Sequence, residues 1–287
     1  MAARSHEAEG NGVMQVVADD GVRLKASRWG TGEAGTVLLL PDWLASGEGF
    51  LALVPALTRA HGAAVTLDPR GTGHSDRPDA GLRLGRDVAD AALVVGRLAE
   101  PPVVVMGYGY GALVALRLAS EAPELVSHLR LLAPPVMLPA EGPGRRALAE
   151  AIEDPRRLWD LVASGASHTL SPYILQAVCE DMARTTAAAG LAQLDAMVRA
   201  PWAQLVAAVR CSVAVATGEA DFWSGARHVR ERMGVEPVVW RGVGHFALAE
   251  APETAAAWCR PPDPGAIDAV AAERAGDGPP PWEPEPP

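Results

Sequence analysis

The chemistry open to this sequence turns on a short glycine-rich run, Gly107-Tyr108-Gly109-Tyr110-Gly111-Ala112. The apolar run Val103–Met106 leads into it and the helix-like segment Leu113–Glu121 follows. A strand that passes into a helix through G-x-Nu-x-G bends sharply and exposes the side chain in the middle, which then serves as a nucleophile. The flanking glycines let the bend pack against neighbouring backbone. The new helix brings its first N–H groups, including that of Tyr110, beside the exposed position. Here the middle residue is Gly109, which has nothing with which to attack a carbonyl. Tyr108 and Tyr110 alternate with it and are expected to point away from the crevice, and neither Ser164 nor Ser167 has a comparable setting.

These residues need a frame. Short β-branched runs alternate with alanine-rich amphipathic segments, the pattern of a parallel sheet with crossover helices. Strands are expected at Val13–Val17 and Val22–Ser27, paired as a hairpin, then at Thr36–Leu40, Ala64–Leu67, Val103–Met106, Leu129–Leu132, Ser212–Ala216 and Val238–Trp240. Between Leu138 and Leu205 the sequence offers helices (Arg146–Ile152, Pro155–Ser164, Tyr173–Thr186, Leu191–Val198) and no strand, so a helical cap is expected after the sixth strand. In open parallel sheets the functional groups collect where the strands end.

Composition narrows the function class. The chain has 287 residues, 49% hydrophobic and 21% charged, enough apolar mass for one sizeable core. A net charge of −10 with no basic run argues against nucleic acid or anionic membranes as partners. Cys179, Cys211 and Cys259 form no CxxC pair or disulfide framework, which suits a cytoplasmic location and inert thiols. No apolar run is long enough to span a bilayer. Residues 1–12 are expected to fray, 13–260 to form one domain, and the Pro- and acid-rich stretch 261–287, with its lone Trp282, to remain a disordered tail.

In combination the motifs become specific. DDGVRL lies in the opening hairpin, LDPRGTGHSDRP after the fourth strand and GYGYGA at the bend. TGEADFW follows the seventh strand, and GVGHFALAEAPE the eighth. In this order they resemble the α/β-hydrolase superfamily over roughly Val13 to Cys259. The resemblance implies a mostly parallel eight-stranded sheet flanked by helices, with a cap. In that family the bend carries Ser, Cys or Asp, the loop after the seventh strand an acid, and a late loop a histidine. These positions map onto Gly109, Asp221 and His245. Asp221 would orient the imidazole and stabilise its charged form, with Glu219 a weaker substitute. Away from this motif His245 would read as a surface or capping histidine, and Asp221 as a helix cap or turn residue.

Two departures count together. The nucleophile is missing, and the third strand ends in Pro41-Asp42-Trp43 where the family places His-Gly. The matching oxyanion donors are the backbone N–H groups of Trp43 and Tyr110. Asp42 puts a carboxylate beside them, as an acid, a base, a ligand for a cationic or hydroxylic group, or a solvated loop residue. The leading expectation is a cofactor-independent, non-hydrolytic enzyme (lyase, isomerase, cyclase or oxygenase type). In it His245 and Asp221 move a proton on a small or medium apolar molecule, with His245 as base or acid and no acyl-enzyme. One alternative is a weak or atypical ester, amide or epoxide hydrolase without an acyl-enzyme, in which Gly109→Ser gains labelling by a fluorophosphonate. The other is a non-catalytic ligand-binding pseudoenzyme. No metal is implied, and a monomer or homodimer is expected. Tyr108, Trp159, Tyr173, Trp223 and Phe246, with Met197 and Trp202, are candidates to line an apolar pocket. The turn Asp68–Ser75 reads as structural, with Ser75 bracing it.

Overall fold

The computed structural model describes residues 12–166 and 170–259. The expectations for the two termini, Trp282 and Ser167 lie outside them. The strands are β1 (Gly12–Val17), β2 (Arg23–Gly30), β3 (Thr36–Leu40), β4 (Ala63–Leu67), β5 (Val103–Tyr108), β6 (Val126–Leu132), β7 (Ser212–Gly218) and β8 (Val238–Trp240). Around them lie α1 (Val54–His61), α2 (Leu84–Leu98), α3 (Tyr110–Glu121), α4 (Gly142–Glu153), α5 (Pro155–Gly165), α6 (Pro172–Met182), α7 (Ala187–Arg199), α8 (Trp202–Ala208), α9 (Ala226–Met233), α10 (Ala247–Glu250) and α11 (Pro252–Trp258).

The strands form one eight-stranded sheet in the order β1-β2-β4-β3-β5-β6-β7-β8. β2 runs antiparallel to β1 and β4, and every other pairing is parallel. β3, β4 and β5 are buried along their whole length, as strands covered on both faces must be. Their alternating side chains feed two apolar layers. Leu38, Leu40 and Val105 pack with Val94 of α2 and Leu113 of α3, while Val37, Leu39 and Met106 pack with Leu57 of α1 and Ala255 of α11.

The order reverses at β3. The chain leaves β3 toward β4 on one side and later returns to lay β5 on the other. Loops that depart in opposite directions open a crevice at the strand ends. Asp42 and Gly109 therefore face one another across it.

Among the described residues five helices, α4 to α8, lie between β6 and β7, where the sequence places its helical segments. Polar caps fix three of their starts: Asp154 for α5, Ser171 for α6 and Thr186 for α7, each side chain accepting from a first-turn N–H. Among the described residues no helix is long and apolar enough to cross a membrane, and no disulfide joins Cys179, Cys211 and Cys259.

The turn after β4 is braced as expected. Ser75 Oγ donates to the Asp68 carbonyl at 2.6 Å and accepts from Lys25 N at 2.9 Å. Ser75→Ala leaves both buried partners unsatisfied, and it is expected to cost about 1–2 kcal/mol in denaturant unfolding without touching the crevice.

Candidate active site

β5 ends, the chain turns at Gly109 (φ 52°, ψ −115°), and α3 starts at Tyr110. A residue with a β-carbon is strained at that positive φ. Gly111 permits the turn to sit close to β3, since a β-carbon there would overlap the Leu40 carbonyl oxygen. This close approach brings the N-terminus of α3 against the loop that follows β3.

That loop carries Asp42, which is buried. Its Oδ1 accepts from Trp43 N at 2.6 Å and from Tyr110 N at 2.9 Å. These are the two donors that the sequence assigns to an oxyanion, and both go to the Asp42 carboxylate. Oδ2 lies 2.8 Å from His245 Nε2. A β-carbon built on Gly109 would overlap Oδ1 and Cγ of Asp42. The carboxylate thus stands within the elbow's side-chain space, not beside the hole as the sequence suggests. The helix N-terminus and two N–H groups favour a negative charge there.

The helices between β6 and β7 hold this loop in place. Trp43 Nε1 donates to Gly190 O at 2.8 Å, Leu44 N to Gln193 Oε1 at 3.2 Å, and Thr185 Oγ1 to Leu44 O at 2.7 Å. Asp181 accepts from both Ser46 N and Ser46 Oγ. Leu44 itself sits at φ 64°, a conformation that non-glycine residues adopt only where their surroundings impose it.

On the other side of the ring, His245 Nδ1 lies 3.0 Å from Asp221 Oδ2. Asp221 Oδ1 accepts from Trp223 N and Ser224 N, which locks the carboxylate after β7. His245 is fixed through its backbone as well: its N–H donates to Gly165 O at 2.8 Å and its carbonyl accepts from Tyr108 Oη at 2.9 Å. Glu219, the weaker substitute, is bound to Gly242 N at the turn after β8 and does not reach the ring.

His245 is buried with a carboxylate on each ring nitrogen. Burial alone pushes its pKa down. The charges of Asp221 and Asp42, and their hydrogen bonds, outweigh that and raise it to about 10. At neutral pH the ring is an imidazolium. Of the two roles open to His245, base or acid, the carboxylates on its two ring nitrogens favour the acid. Tyr110 points away, as its position implies, with its hydroxyl 2.5 Å from Asp87. Burial raises the Asp87 carboxyl, the Tyr110 hydrogen bond lowers it in part, and the outcome is about 7.

Asp42 and His245 stand on the wall of a narrow cavity and are the only titratable side chains among the described residues that line it. Its apolar lining comes from Trp43, Leu148, Leu161, Val162, Met182, Met197, Trp223 and Phe246, with Pro135 and Leu138. Trp223, Phe246 and Met197 thus line it as expected. Four expected pocket aromatics do not. Trp159 is 38% and Tyr173 84% exposed on outer helix surfaces, and Tyr108 is buried beneath His245 as its support. Trp202 is buried in the core instead. Among the described residues no group of three His, Cys, Asp or Glu side chains is placed to hold a metal ion.

Residues 37–258 match the sequence model of the alpha/beta hydrolase family. The chain belongs to the alpha/beta hydrolase family. Within it, a 114-residue stretch is 35% identical to the serine hydrolase BPHL of Homo sapiens, covering 38% of this chain and 39% of that protein. The match therefore spans about two fifths of that relative's length. Among solved structures, a bromoperoxidase from Bacillus anthracis superposes with a TM-score of 0.76 at 16% identity, over 86% of this chain and 97% of its own. An enol-lactonase from Burkholderia xenovorans gives 0.74 at 16% identity, over 85% and 97%. An esterase from Exiguobacterium antarcticum gives 0.73 at 16% identity, over 91% and 99%. At these identities the likeness establishes the fold; chemistry has to be argued from the site.

Proposed function

We propose that this chain is a cytoplasmic enzyme of its family that works without an elbow nucleophile, through Asp42, His245 and Asp221, on a small or medium apolar molecule. The reading is carried by a single observation: a buried histidine ring clamped between two carboxylates at the floor of an apolar cavity. Burying three charges costs several kcal/mol before their mutual attraction is counted. A pocket that merely holds an apolar ligand gains nothing from such a triad, whereas acid–base chemistry requires groups whose proton affinities are driven apart.

In this centre His245 is the proton donor and Asp42 the proton acceptor or electron-pair donor, with Asp221 stabilising the ring. Isomerisation, elimination and cyclisation by proton transfer can run on such a pair. Ester hydrolysis through an acyl-enzyme does not fit, since Asp42 already takes both oxyanion donors.

The test is turnover of three probes by the wild type, His245→Ala and Asp42→Ala: phenylacetone (deuterium exchange at its α-carbon), styrene oxide and p-nitrophenyl acetate. The expected result is conversion of one of the first two by the wild type, lost in both variants, with no His245-dependent ester cleavage. If none is converted while all three proteins gain the same thermal stabilisation from apolar ligands, the chain is a binding protein instead.

A further inference from the structure

We infer that Asp87 is a positioning residue of the reaction centre: through the Tyr110 hydroxyl it fixes the Tyr110 N–H that holds Asp42 in the elbow's side-chain space. This rests on the reading that Asp42, His245 and Asp221 are that centre. It adds to them a residue that acts from behind the elbow.

Tyr110 stands between two aspartates that face it from opposite ends. Its N–H donates to Asp42 Oδ1 at 2.9 Å, and its hydroxyl donates to Asp87 Oδ2 at 2.5 Å. Burial and the neighbouring Asp87 carboxylate push the phenol pKa up, so the hydroxyl keeps its proton and stays the donor. Tyr110 is fully buried and is the first residue of α3. In a close-packed interior its ring and its backbone move together.

Asp87 has a rigid mount for this task. It lies on α2, three residues before Asp90 and so on the same helix face. Asp90 accepts from Nε and Nη2 of Arg70, both at 2.8 Å, and Arg70 Nη1 donates to Asp20 at 2.8 Å. Such a two-pronged guanidinium–carboxylate contact fixes orientation as well as distance. It ties α2 to the turn after β4, and α2 in turn presents Asp87 to Tyr110.

The pair is otherwise an unfavourable way to fill this space. Asp87 is buried, and its Oδ1 finds no hydrogen-bond partner among the described residues. It lies on the wall of a second narrow cavity with Leu40, Leu67 and Val114. An unpaired buried oxygen costs stability, and two apolar side chains of similar shape would avoid that cost. Pro41 and Gly111 line the same cavity, which puts Asp87 directly behind the loop that carries Asp42.

The consequence reaches the imidazole. Without the Tyr110 N–H, Asp42 Oδ1 keeps only the N–H of its own neighbour, Trp43. Asp42 is then less firmly held against His245 Nε2. The charge and hydrogen bond of Asp42 help to raise the His245 pKa, so loosening Asp42 lowers it.

The test is a nitrogen NMR titration of the His245 ring in the full chain, as wild type and as three variants. In Asp87→Leu the midpoint is expected to fall by about one pH unit. Tyr110→Phe, which lacks only the hydroxyl, is expected to match it, and combining the two to add nothing further. Asp87→Asn keeps an acceptor for the hydroxyl and is expected to retain the wild-type midpoint. Unchanged midpoints in Asp87→Leu and Tyr110→Phe, whatever their melting temperatures, make the pair purely structural and overturn the proposal. An equal fall in Asp87→Asn and Asp87→Leu traces the effect to charge and overturns it too. A wild-type ring already neutral at about pH 8 removes the parent reading, and this one with it.

Discussion

Gly109→Ser is expected to lower stability by about 2–6 kcal/mol and to create no serine hydrolase. Two costs add: strain of a β-carbon at positive φ, about 1–3 kcal/mol, and overlap with the Asp42 carboxylate, another 1–3 kcal/mol or more. The overlap follows directly from the position of Asp42 Oδ1 and Cγ over Gly109. The expectation that serine alone gains labelling is therefore replaced by one that needs the aspartate removed as well. Asp42→Ala removes the obstruction. In the double variant Asp42→Ala/Gly109→Ser, serine can take the vacated space beside His245 Nε2. Denaturant unfolding of the four proteins is expected to show the double variant more stable than the sum of its parts by about 2 kcal/mol. Fluorophosphonate labelling is expected in the double variant alone. Additive stabilities, or labelling of Gly109→Ser by itself, contradict the mutual exclusion of the two side chains.

The second large effect is on pH dependence. His245 in the folded chain has its pKa raised from 6.5 to about 10. A group whose pKa is higher folded than unfolded binds its proton more tightly in the native state. Its contribution to stability is complete below about pH 6.5 and is lost as pH rises through about 10. The size is on the order of a few kcal/mol. Asp42→Asn removes one of the two carboxylates that raise the pKa, so the loss moves to lower pH. Melting temperatures measured from about pH 6 to 10 isolate His245 in the difference between wild type and Asp42→Asn. Parallel curves contradict the clamp.

Much of this was legible in the sequence, for reasons that can be located. The sheet declared itself because β3, β4 and β5 are covered on both faces and so read as unbroken apolar runs. Gly109, Asp221 and His245 each sit in a local motif directly after a strand, where position along the chain fixes position in space. The role of Asp42 was not legible. It depends on β3 pairing with β5, on the close approach that Gly111 allows, and on a contact between residues 68 positions apart. The signal was the coincidence of an aspartate at 42 with a glycine at 109. Read separately these are two losses, but in space they are one exchange of a side chain.

The pocket wall shows a different limit. Trp159 has the aromatic type of a pocket residue, yet Leu158, Val162 and Gly165 mark the buried stripe of α5 and leave Trp159 on its flank. The period of the helix carried the answer that residue type did not. The cavity is lined largely by Leu, Val and Met from the helices between β6 and β7, residues that read as ordinary core until the loop after β3 is seen bound beneath them.

The protonation state of His245 tests the central claim most directly. With a carboxylate on each ring nitrogen, nitrogen NMR of the imidazole at about pH 8 is expected to show both nitrogens protonated, where an ordinary histidine is neutral. A neutral ring with a bare Nε2 at that pH would mean that Asp42 does not stand where the elbow side chain belongs, and the account would fail.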